Sequence, residues 1–162
     1  MTKPQPIPEG YGTVTPWVVT NDTRRLLEFI KDAFDAEELS RVEVEGGVIG
    51  HAEARIGDSI IMMFDSPFPM ATPGFLRLYV EDGDAVFRRA VAAGATPVTR
   101  LTELAWGDRV GRVRDPLGNI WWIQERIEEL APDKMATRLQ DPKFTEAMQY
   151  VQSTLAPGLD AS

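Results

Sequence analysis

The first periodic segment of the chain is a β-branched run, Thr13 to Thr20, interrupted by Pro16. Such residues suit a pleated surface, and proline is tolerated where no ladder N–H is needed, so the run predicts a strand at or near a sheet edge. Asn21-Asp22-Thr23 then supplies helix-capping side chains. Leu26, Leu27, Ile30 and Phe34 follow at helical spacing and predict a helix over residues 23–35. Three short strands are predicted near 39–45, 49–56 and 59–65, separated by Gly46-Gly47 and Gly57-Asp58, both hairpin signals. The first half reads βαβββ.

The second half repeats that order. Phe75 to Val80 is a strand, residues 83–93 form a helix closed by Gly94, and strands are predicted near 96–100, 109–114 and 119–125. An offset of 60 residues places Asp22 on Asp82, Leu26-Leu27 on Val86-Phe87, Ala33 on Ala93 and Ile60 on Ile120. Few identities survive, so the repeat rests on element order more than on letters. After Arg126 the pattern changes. Asp141-Pro142 is an N-cap and first-turn pair, Phe144, Met148, Val151 and Leu155 form a helical stripe, and Pro157-Gly158 stops it. This tail helix is expected to lay its stripe on the sheet or on a second subunit, with partner recognition as the alternative.

Composition narrows the function classes. With 162 residues, 43% hydrophobic and 26% charged, the chain can bury a core without disulfide or metal. Zero cysteines exclude a disulfide framework, a thiolate nucleophile and cysteine-based metal sites. Lys and Arg number 17 against 25 Asp and Glu, a net charge of −8 that opposes nucleic-acid binding. The longest apolar runs, Ile60–Phe64 and Ile120–Ile123, fall far short of the roughly 18 residues of a membrane span, and Met1 to Gly10 shows no apolar leader. The expectation is a cytoplasmic protein with no membrane and no nucleic-acid partner.

Four segments then carry a resemblance: Tyr11-Gly12-Thr13-Val14-Thr15-Pro16, the stretch Gly50-His51-Ala52-Glu53-Ala54-Arg55-Ile56-Gly57-Asp58-Ser59, Leu78-Tyr79-Val80-Glu81-Asp82, and Trp106-Gly107-Asp108-Arg109 followed by Arg114-Asp115-Pro116-Leu117-Gly118-Asn119. In order, and with the two-module repeat, they resemble the glyoxalase and bleomycin-resistance proteins of the vicinal-oxygen-chelate superfamily, especially the PhnB-like branch, over residues 10–128. The resemblance implies an α+β fold in which paired βαβββ modules form a curved, half-barrel mixed sheet with helices outside and a ligand in the cup. The expected domain spans residues 1–128, with modules 10–66 and 73–127, followed by a helical extension over 129–162. It also implies a homodimer, since relatives commonly dimerise.

Metal-using relatives hold a divalent ion with His, Gln or Glu on the first and last strands of each module. Carried over, those positions are Thr15, Met62, Phe75 and Trp122. None bears an imidazole or carboxylate, so no cofactor is expected there. Strand alternation instead aligns Thr15 with Trp17, Phe75 with Arg77 and Tyr79, and Trp122 with Gln124, a face rich in aromatics. The expected ligand site comprises Trp17, Met62, Phe75, Arg77, Tyr79, Trp106, Arg109 and Trp122. Arg109 is the candidate anion grip because its planar fork pairs with carboxylate or phosphate; pairing with a nearby acid is the alternative. His51, the sole histidine, shares a strand face with Glu53, and these two are the catalytic candidates, against a role in ordering the strand. The leading functional expectation is noncatalytic binding of a small, partly aromatic organic molecule. The alternatives are a metal-dependent lyase, isomerase or dioxygenase of the same superfamily, and a structural or regulatory dimer whose cup is filled by its own side chains.

Overall fold

Asp22 and Asp82, 60 positions apart, start the two principal helices in the same way: each carboxylate accepts the backbone N–H three residues on, from Arg25 at 3.0 Å and from Ala85 at 2.9 Å. These bonds satisfy amides that a helix start leaves without partners. A computed structural model describes residues 5–68 and 73–155. The chain divides into two units, one ending at Gly74 and the other beginning at Phe75.

The first unit holds β1 (Trp17–Thr20), α1 (Thr23–Phe34), β2 (Glu37–Glu43), β3 (Ile49–Ile56) and β4 (Ser59–Asp65). The second holds β5 (Phe75–Val80), α2 (Gly83–Ala92), β6 (Thr96–Glu103), β7 (Asp108–Arg114), β8 (Ile120–Arg126), α3 (Pro132–Leu139) and α4 (Pro142–Ser153). Sheet order is β1-β4-β3-β2 in one and β5-β8-β7-β6 in the other. In both, the first and last strands pair in parallel and the rest are antiparallel. This is the α+β, twofold βαβββ arrangement the sequence predicts, built as two four-stranded mixed sheets.

Burial explains the pairing of helix and sheet. Leu26, Leu27, Ile30 and Ala33 of α1 are fully buried, as are Ala52, Ala54 and Met63 on the facing strands. Each such Leu or Ile stabilises by at most about 1.5–3 kcal/mol. Asp65 ties this unit together, its carboxylate accepting the N–H of Thr23 and of Ile49, both at 2.7 Å. Burial alone would raise its pKa, but these two amides, together with the Thr23 hydroxyl and the Arg24 charge, outweigh burial and hold it below the usual value.

Several boundaries differ from the sequence reading. β1 begins at Trp17 rather than Thr13; the carbonyl of Pro16 accepts the Met62 N–H at 2.9 Å, the first rung of the parallel pairing. A short 3₁₀ turn, Glu45–Gly47, replaces a two-residue hairpin between β2 and β3. The helical tail falls within the second unit and contains α3, which the apolar stripe alone did not signal. The Pro157-Gly158 stop lies outside the described residues. No helix among the described residues is long and apolar enough to cross a membrane.

Candidate ligand cavity

Strand parity sorts the second sheet into two faces. On one, Trp121 and Ile123 are fully buried, and a Cβ added to Gly111 would sit 3.2 Å from Phe87 of α2, so this face packs against that helix. The opposite face carries Arg77 and Tyr79 of β5, Asp108, Val110 and Arg112 of β7, and Trp122 and Gln124 of β8. Helix α4 covers part of it with Met148, Val151 and Gln152, and Leu155 follows just past the helix end. A cavity of about 730 Å³ remains, completed by Leu104 and Trp106.

The turn that brings Trp106 to this rim depends on Gly107. Its φ is 87°, and a Cβ there would lie 2.3 Å from the Glu128 carbonyl oxygen. Next to it, Asp108 accepts a short hydrogen bond from the Gln124 amide. Asp115 organises the other end of the sheet, accepting the N–H groups of Leu117 and Asn119, the Asn119 amide and, at 2.9 Å, the Trp121 indole. Its role is structural.

Arg112 is the central charge of the cavity. It is only 2% exposed, and one guanidinium nitrogen donates to Thr99 Oγ1 at 3.0 Å and to the Val151 carbonyl at 2.6 Å. Val151 lies in the last turn of α4, where carbonyls lack intrahelical partners and the helix dipole favours a cation. Thr154 adds a 2.8 Å bond to Thr99, and Tyr150 accepts the Arg100 N–H at 3.0 Å, so α4 is fixed to β6 and β7 by polar contacts as well as by Leu104, Val110 and Val151. The Arg112 guanidinium carbon stands 3.9 Å from the Trp122 ring centroid, and that of Arg77 stands 4.8 Å from it. Burial lowers the Arg112 pKa, and the nearby Arg77 charge lowers it further.

The first sheet also has a helix face and an open face. Trp17, His51, Glu53, Met62 and Phe64 share the open one, with Trp17 edge-on to His51 at 6.0 Å and to Phe64 at 5.7 Å. Glu53 accepts a short hydrogen bond from the Tyr11 hydroxyl and lies 2.9 Å from His51 Nε2. These two bonds, Tyr11 first, hold the Glu53 pKa below its usual value. Tyr11 was not among the expected site residues, because nothing in its local pattern reveals a contact 42 residues away.

Of the expected ligand residues, Arg77, Tyr79, Trp106 and Trp122 come together around the cavity. Phe75 stands beside Trp122 at 6.0 Å but is half exposed and outside the lining, while Trp17 and Met62 belong to the first unit. Arg109 requires correction. It points to the α2 face, paired with Asp84 at 2.8 Å and Glu125 at 3.0 Å, as odd parity on β7 dictates. The β7 arginine that lines the cavity is Arg112, three positions on. The parity of Gly111, a residue small enough for helix packing, was the available signal.

At the inherited metal positions, Met62 stands level with Trp17, and Trp122 with Arg77, rather than with Thr15 and Phe75 two residues earlier. A hydroxyl, a thioether, a phenyl and an indole do not fit a divalent ion, and Trp17 and Arg77 add no ligand.

A model of the Glyoxalase/Bleomycin resistance protein/Dioxygenase superfamily matches residues 11–123. The uncharacterized protein Mb0911c of Mycobacterium bovis is 37% identical, the match covering 75% of this chain and 88% of that protein. Among solved structures, TioX from Micromonospora sp. ML1 is similar with a TM-score of 0.60 and 26% identity, covering 74% of this chain and 100% of that one. The PhnB protein from Bacillus cereus gives 0.55 at 19% identity, covering 70% and 99%. The chain belongs to the glyoxalase/bleomycin resistance protein/dioxygenase superfamily.

Proposed function

We propose that this protein binds a small, partly aromatic molecule noncatalytically in the cavity of its second unit, without a divalent ion at the superfamily's metal positions. The observation that carries the reading is the cavity itself: about 730 Å³, within the usual range of small-molecule sites, with Tyr79, Trp106 and Trp122 around a few buried polar groups. Aromatic side chains supply large, rigid contact area and stack on flat ligands. The four metal positions offer no imidazole or carboxylate, which supports the metal-free reading. Elemental analysis of dialysed protein checks it, and one tightly held equivalent, lost when those positions are changed, would overturn it.

Titration with the neutral fluorogenic probe N-phenyl-1-naphthylamine tests binding. One probe should bind per chain. Trp122→Ala should weaken it by about 5- to 150-fold, corresponding to about 1–3 kcal/mol of stacking and buried area. The urea midpoint should move little. A variant that loses about 3–5 kcal/mol of stability, in a protein that binds no aromatic probe, would mean that the indole fills a core instead.

A further inference from the structure

We propose that the cavity selects a flat aromatic anion, its carboxylate-type group held by Arg77 and Arg112, the two cavity-face arginines beside Trp122. This rests on the small-molecule reading above and specifies its ligand class. Arg112 is almost wholly buried, yet among the described residues neither it nor Arg77 forms a salt bridge. Other arginines pair readily, such as Arg109 with Asp84 and Arg138 with Glu128. A buried guanidinium without a counter-charge is costly, and a cation–π contact with one carbonyl and one hydroxyl compensates it only in part.

The remaining hydrogen-bonding capacity lies on the same residues. Among the described residues Arg112 Nε, Trp122 Nε1 and Gln124 Oε1 are buried without partners, and all three residues line the cavity. Such groups ordinarily find a partner, and here two of the three are donors suited to oxygen. Among the described residues Asp108 is the one acid of the lining, and its carboxylate is engaged by Gln124. Two arginines against one aspartate leave the lining with a net positive charge, in a chain whose net charge is −8. The rings of Tyr79 and Trp106 supply the flat apolar surface on which the aromatic part of the anion rests.

The test compares 2-naphthoate with 2-naphthamide, which share a ring system and differ in charge, by calorimetric titration of the full chain. The naphthoate should bind about 10- to 100-fold more tightly, the advantage of hydrogen bonds to a charged group, and the preference should shrink with added salt. Arg77→Gln should erase most of that preference while leaving naphthamide affinity within about twofold; this variant keeps Arg112 and hence the α4 anchor. Equal affinities for the two ligands, or a preference unchanged in Arg77→Gln, would overturn the anion assignment alone. Failure of both ligands to bind would overturn the small-molecule reading with it.

Discussion

Arg112 and Val151 join strand β7 to the last turn of α4 through a 2.6 Å hydrogen bond made by a buried guanidinium. The same guanidinium lies against Trp122, so the cavity floor and its helical wall share one side chain.

Replacing Arg112 with Met removes the donor to Val151 and Thr99 while keeping an unbranched apolar stem. A buried carbonyl left without its charged partner costs about 1–3 kcal/mol. The loss should be local, with hydrogen exchange accelerating across α4 ahead of β7 and β8. Unchanged α4 protection in Arg112→Met would mean that Leu104, Val110 and Val151 hold the helix unaided.

Tyr11→Phe removes the largest influence that depresses the Glu53 carboxyl, the hydrogen bond from the Tyr11 hydroxyl. Because the folded pKa lies below the unfolded value near 4.5, Glu53 contributes stability above that pH and loses it as pH falls through the folded pKa. Heteronuclear titration should show the Glu53 pKa rising toward 4.5 in the variant, and its unfolding midpoint should depend less on pH below about 4.5 than that of the parent. An unmoved Glu53 titration would contradict this account.

Gly107→Ala places a methyl into the Glu128 carbonyl oxygen and forces a side chain into the left-handed region. The expected cost is about 1–3 kcal/mol. Displacement of the flanking Trp106 and Asp108 should change the near-ultraviolet circular dichroism. A wild-type melting temperature would show that the turn accommodates the methyl.

The resemblance leads to the expectation of a homodimer, and Trp17, a large apolar side chain that is 56% exposed, is available to such an interface. Sedimentation at micromolar concentration should give about twice 18.0 kDa. Trp17→Asp should weaken association by at least about tenfold, since a charge would be desolvated in the interface. A monomer at every concentration would remove the expectation.

The element order was legible because its signals are local: Asp22 and Asp82 cap within one turn, and Gly94 and Gly118 mark stops with positive φ. The aromatic part of the cavity was legible for a related reason, since Tyr79 and Trp122, like Arg77 beside them, follow from alternation along single strands. The buried cation was not. Arg109 and Arg112 look alike in the sequence, and what separates them is strand parity together with a helix arriving from 39 residues away. The tail stripe of Met148, Val151 and Leu155 showed that α4 would pack on something; only the fold shows that it walls the cavity.

Because Arg112 touches both the α4 terminus and the cavity floor, any occupant that engages its guanidinium also changes the strength with which the helix is held. By thermodynamic reciprocity, the factor by which an occupant changes the docking of α4 equals the factor by which docking of α4 changes the occupant's affinity. The tail is then a coupled variable of binding, and mutations at Thr99, Tyr150 or Thr154, outside the cavity lining, become adjustments of affinity.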